Sequence, residues 1–186
     1  MFLLLAELLT ASANAGDDRV GMSLHFINRG INSIGVYRFA PDGLEGPVPG
    51  ALGPDGNVYE RNKQDSQVGA HMSFMPFDNK RSVPQFVDIE WFVSTPEYRA
   101  AFSEYKQRFP LRGGMISKEE LMQQKIEREK IETLGRTYKR RIDLIPILTP
   151  ELLTQVRANR KNTQLKLKVV FTDDDVTVKA SAEVWR

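Results

Sequence analysis

His25 and His71 are the two imidazoles of this sequence, the side chains best suited to moving protons near neutral pH. A histidine acts as a general base when another group orients it and a reactant lies within reach. For His71 the candidate helpers are Asp88 and Glu90, which share one face of a strand and can approach each other. A small hydrolase using His71 with one of these acids is therefore an alternative to be tested. Against it, His25 lies in the apolar run Ser23–Ile27 and His71 in the similar run Val68–Phe77, where hydrogen-bonded structural histidines are expected. No serine stands in the G-x-S-x-G turn of a common hydrolase, and no glycine loop has phosphate-binding form.

Metal chemistry is limited in the same way. Two histidines cannot make a three-imidazole centre, and the absence of cysteine removes thiolate ligands, disulfides and a cysteine nucleophile. Asp173-Asp174-Asp175 lacks the spacing, the glycine and the closing glutamate of a calcium loop, so it reads as a hairpin turn. The reading is a chain with no catalytic residues, no metal and no cofactor, and not an enzyme.

The elements around these residues are legible from their period. Ser23–Ile27 and Ile34–Phe39 flank Asn28-Arg29-Gly30-Ile31-Asn32-Ser33 and read as a hairpin or a pair of neighbouring strands. Four prolines and five glycines between Phe39 and Glu60 predict a long loop. Val68–Phe77 and Pro84–Val93 are the next strands. Thr95-Pro96-Glu97 has the cap, proline and acid of a helix start, and Tyr98, Ala101, Phe102 and Tyr105 follow at helical spacing. Ser117-Lys118-Glu119-Glu120 is a capping box opening a helix to about Leu134. Its sparse apolar residues, Leu121, Met122, Ile126, Ile131 and Leu134, predict one narrow buried stripe. A strand over Tyr138–Ile147 and a helix from Thr149-Pro150-Glu151 come next. Leu165, Leu167 and Val169, then Val176, Val178, Ala180, Ala182 and Val184, alternate with polar residues around Thr172–Asp175, the pattern of a C-terminal antiparallel hairpin. The expected class is α+β: an antiparallel sheet with two or three helices inserted in the middle and a C-terminal β-hairpin.

Charge and ends bound the partner. Lys and Arg number 26 against 24 Asp and Glu, too even a balance for a general nucleic-acid binder. The basic residues Arg136, Lys139, Arg140, Arg141, Arg157, Arg160 and Lys161 collect late, without interleaved aromatics, and read as a solvated face. No Lys or Arg lies between Arg38 and Arg61, whereas Asp42, Glu45, Asp55 and Glu60 do, so this acidic loop can steer a basic partner surface. Asp42, Glu45, Asp55 and Tyr59 are the expected partner-binding residues. Met1–Ala15 carries a short apolar run and Ala13-Asn14-Ala15 before Gly16, the form of a signal peptide remnant. The run is too short to span a bilayer, so no stable membrane insertion is expected. Residues 16–186 then form a single α+β domain.

Ser23–Phe39 (SLHFINRGINSIGVYRF) resembles the opening of small bacterial envelope proteins, in which a strand, an Asn-x-x-x-x-Ile turn and a second strand start the mature domain. Such proteins are similar to the immunity proteins encoded beside type VI secretion phospholipase effectors, and Arg141–Pro146 through Trp185-Arg186 fits the same picture. The resemblance implies a periplasmic, non-enzymatic protein that binds a cognate lipase-type effector and blocks its active site or membrane approach. Many members are lipoproteins with cysteines; this chain has none, so lipid anchoring does not carry over. A structural or assembly subunit of the cell envelope is the other non-enzymatic alternative.

Overall fold

The computed structural model describes residues 22–54, 70–74, 83–110, 117–159 and 162–184, with the backbone alone for 70–74. The leader expected over Met1–Ala15, together with Asp55 and Tyr59, lies outside the described residues. The chain runs through β1 (Met22–Asn28), β2 (Ser33–Pro41), β3 (Gly50–Leu52), β4 (Ala70–Phe74) and β5 (Phe86–Ser94). Helices α1 (Pro96–Arg108) and α2 (Lys118–Glu132) come next, then β6 (Arg136–Asp143), α3 (Pro150–Ala158), β7 (Thr163–Thr172) and β8 (Asp175–Val184). The class is α+β, and β7 and β8 pair antiparallel as their alternation predicts.

The strands form two four-stranded sheets rather than one: β4-β1-β7-β8 and β3-β2-β5-β6. Every pairing is antiparallel except β1 with β7, which run parallel from Met22 opposite Leu165 to Asn28 opposite Phe171. The predicted β1–β2 hairpin is therefore not formed. The chain crosses from one sheet to the other at Asn28–Ser33, and the buried Asn28 side chain fastens the crossing. Its amide donates to the carbonyls of Asn32 (2.8 Å), Leu52 (3.3 Å) and Gly53 (3.1 Å), and its oxygen accepts from the Gly30 N–H (2.9 Å).

Inward residues of both sheets share one core. Leu24 and Phe26 of β1 and Leu165, Leu167, Val169 and Phe171 of β7 face Ile34, Val36 and Phe39 of β2 and Val87, Ile89, Trp91 and Val93 of β5. Aromatic contacts cross the gap: Phe26 meets Phe39 edge-on at 5.3 Å, and Trp91 meets Phe171 edge-on at 5.6 Å. Edge-on rings add to burial because a positive ring edge meets a negative face. Helix α3 adds Val156 to this core beside Leu144 and Leu148.

Three local expectations also change. The proline-rich stretch after Phe39 contains a strand, β3, because Gly50–Leu52 holds no proline and its N–H groups remain free to join the edge of β2. The strand expected to reach Ile147 ends at Asp143, whose carboxylate accepts the Ile145 N–H (2.9 Å) as the chain turns. Helix α2 buries no residue. Its caps behave as read: Ser117 Oγ accepts the Glu120 N–H at 3.1 Å, as Thr95 does for Tyr98 and Thr149 for Leu152. Together α1 and α2 form a hairpin rooted on the second sheet, where a Cβ on Gly135 would collide with the Phe92 ring. Among the described residues no helix is long and apolar enough to cross a membrane.

Candidate partner-binding surface

The outer face of the second sheet owes its character to a bulge in β2. Val36 pairs with Trp91 and Arg38 with the next residue, Glu90, so Tyr37 is an extra residue in the ladder. Directly opposed residues point to one side, so Val36 faces inward with Trp91 while Arg38 faces outward with Glu90. A bulge re-aims side chains in this way, and here it sets Tyr37 and Arg38 next to each other on the outside. The Tyr37 ring lies 6.2 Å from Phe92 yet remains 63% exposed. Burial of its inner part, and Glu132 beside it, push the phenol up in pKa against the opposing Arg128, so it presents a neutral hydroxyl. Phe92 in turn touches Tyr98 (4.8 Å), and stacked rings continue up α1 through Phe102, Tyr105 and Phe109.

Beside Tyr37 runs a row of alternating charges. Arg38 donates to Glu45 at 2.9 Å and stands 3.5 Å from Glu90; Lys139 holds the other Glu90 oxygen at 3.0 Å. Arg141 donates two hydrogen bonds to Asp88, at 2.7 and 2.8 Å, and lies 4.1 Å over the Phe86 ring. The hydrogen bond from Glu45, then its charge, hold Arg38 firmly protonated, as Asp88 does Arg141. Exposed pairs of this kind contribute only about 0–1 kcal/mol each to stability. What they fix is the direction of long side chains, so a partner would meet an ordered surface.

The sequence-predicted residues distribute unevenly over this face. Glu45 belongs to it through Arg38. Asp42 does not serve as an open contact: at φ +47° its carboxylate accepts the N–H groups of Gln85 (2.9 Å) and Phe86 (3.2 Å), and its own N–H donates to Phe86. It clamps the end of β2 to β5. Asp88 and Glu90 do share a face, but each is tied to a cation. His71 is on β4 of the other sheet, in register with His25, so the topology does not bring it to those acids. His25 is buried. The basic cluster is spent similarly, with Lys139 and Arg141 paired as above and Arg140 3.8 Å from Asp175 of β8. Arg160 and Lys161 lie outside the described residues.

Tyr37 and Arg38 are the residues that sequence reasoning missed. A signal was present: apolar positions run Ile34, Val36, then Phe39, a slip of phase that a continuous strand would not show.

Two further polar groupings complete the inventory. Among the described residues no cluster of three metal-ligating side chains forms. Asp173 of the β7–β8 turn accepts the N–H groups of Ile31 (3.4 Å) and Asn32 (3.1 Å), as structural turns do. On the first sheet Glu183 accepts from Ser23 (2.9 Å), Gln164 (2.9 Å) and Lys166 (2.8 Å), stitching β1, β7 and β8. Burial alone would push the Glu183 carboxyl up, but these donors outweigh it and hold it below its ordinary value. It is thus a weak base toward the Ser23 hydroxyl. The hydrogen bonds from Arg141 likewise hold Asp88 low.

A pH dependence follows. Both carboxyls bind protons less readily when folded than when unfolded, so stability present at neutral pH is lost as pH falls, from about pH 5 downward. Urea melts at pH 7 and pH 3.5 should show this loss, and Asp88→Asn with Glu183→Gln should reduce it. An unchanged slope in that variant would contradict the assignment.

No family model matches this chain, and no curated protein or solved structure matches it.

Proposed function

We propose that this chain is an antibacterial-effector immunity protein, which binds a cognate type VI secretion phospholipase toxin in the periplasm and occludes it. The observation that carries the reading is the β2 bulge, which puts an exposed tyrosine and an ion-paired arginine together on an open sheet face. Tyrosine and arginine are the residue types that dominate binding energy at protein interfaces, because they combine large contact area with directed hydrogen bonds. Glu45, Arg38, Glu90 and Lys139 supply alternating charge around them, which would select the docking orientation and raise the association rate. The resemblance over Ser23–Phe39 ends on this same strand and supplies the identity of the partner. Inhibition by this route requires occlusion alone and no reaction on the immunity protein.

The test is protection. Cells making the toxin encoded beside this chain should survive when the chain is co-expressed, and the purified pair should bind. Tyr37→Ala should weaken binding by about 30-fold, the loss expected of a central interface tyrosine, with thermal stability nearly unchanged. A neighbouring toxin that neither binds the chain nor loses activity sinks the proposal. Full affinity in Tyr37→Ala would move the interface elsewhere.

A further inference from the structure

Helix α2 carries an apolar stripe that nothing in the described structure covers. Leu121 is 52% exposed, Met122 62% and Ile126 48%. The side of α2 toward α1 is set by Glu127, which receives both hydrogen bonds of Arg108 at 2.7 Å. At 100° per residue, Met122 and Ile126 then point well away from α1. Soluble monomers rarely keep such side chains in water without a use.

The charges around the stripe say what suits it. Helix α1 bears three cations and two acids, and α2 four cations and five acids, so the hairpin is neutral with its signs interleaved. An anionic membrane would call for an excess of cations on the polar face, and a strongly charged protein for the opposite excess. A neutral alternating surface instead suits a copy of itself. Two α2 helices laid antiparallel across a two-fold axis near residues 123 and 124 bring Lys118 opposite Glu129 of the second copy, and the reverse. Between these ion pairs Leu121, Met122 and Ile126 of both copies would meet. Within one chain Lys118 makes no ion pair among the described residues, and Glu129 holds Lys125 loosely at 3.9 Å, so both are available. The self-match is the requirement of an isologous contact.

We infer that this protein self-associates through α2, forming a two-fold antiparallel helix pair sealed by Lys118 and Glu129. The α2 helix is about 22 Å long, so the contact is small and the dimer reversible.

Sedimentation of the full chain over a concentration series should show mass rising toward twice the monomer. Met122→Glu with Ile126→Glu should abolish this while leaving the thermal melt unchanged, since both residues are exposed. Lys118→Glu should weaken association about tenfold, and Lys118→Glu combined with Glu129→Lys should restore it. A monomer at every concentration overturns the inference, as does a dimer indifferent to the Met122 and Ile126 changes. Failure of the charge exchange to restore association overturns the antiparallel pairing. A monomer whose toxin binding is lost in the Met122 and Ile126 variant would instead assign the stripe to that partner. The immunity proposal does not depend on any of these results.

Discussion

Trp91→Ala should lower the unfolding free energy by about 3–5 kcal/mol, the usual loss on truncating a buried aromatic to alanine. Three contacts disappear together. The indole is fully buried between the sheets, stacks on Tyr138 at 5.3 Å, and meets Phe171 edge-on. Its Nε1–H also donates to the Asp173 carbonyl at 2.7 Å, a bond from β5 of one sheet to the β7–β8 turn of the other. A domain of this size holds about 5–15 kcal/mol in total, so the midpoint of thermal unfolding should drop on the order of 10 °C. Trp91→Phe separates the contributions. It keeps most of the apolar contact but leaves the Asp173 carbonyl without its donor, for a loss of about 1–3 kcal/mol. Denaturant melts of both variants provide the check. A loss below about 1 kcal/mol in the alanine variant would mean that Trp91 does not join the two sheets.

Asn28→Leu should be nearly as damaging, at about 3 kcal/mol, although no volume is lost. The leucine would leave the Gly30 N–H and the carbonyls of Asn32, Leu52 and Gly53 without their side-chain partner, and unmet buried groups cost about 1–3 kcal/mol each when water cannot reach them. Asn28→Asp offers a sharper signature. It retains the acceptor for Gly30 but turns a carboxylate toward three carbonyl oxygens, so the folded protein would favour its protonated form. The folded pKa is then raised above the unfolded one, and the variant should lose stability as pH rises from 4 to 7. Equal destabilisation at both pH values would show that the amide donors carry no weight. The crossing is tight in another respect: a Cβ on Gly30 would come within 2.7 Å of the Asp173 backbone nitrogen.

These two residues also mark where sequence reading succeeds and where it stops. The β7–β8 hairpin is legible because Leu165, Leu167 and Val169 face a core while Lys166 and Lys168 do not, and its partners lie within twenty residues. Helix starts are legible for the same local reason: Thr95, Ser117 and Thr149 satisfy N–H groups three residues ahead. Asn28, by contrast, looks like an ordinary turn residue. Its role depends on Leu52 and Gly53, from a stretch whose prolines and glycines hide a three-residue strand. The slip at Tyr37 changes which side chains reach the surface without changing composition. Asp42 has the charge expected of a contact residue, but its backbone conformation commits it to Gln85 and Phe86. The stripe on α2 has the period of a buried face; burial, however, depends on what packs against it, and α1 covers a different side.

The parallel alignment of β1 with β7 has a consequence for biosynthesis. Met22 must find Leu165, more than 140 residues further along, so the first strand to leave the ribosome waits for nearly the whole polypeptide before its neighbour exists. Closing so long a loop is slow compared with forming a hairpin. During that interval Leu24, Phe26 and Ile27 stand in water, a short sticky segment for which a holding chaperone would compete. Nascent chains arrested before Thr163 should therefore keep β1 open to protease, and release of the last quarter should close it.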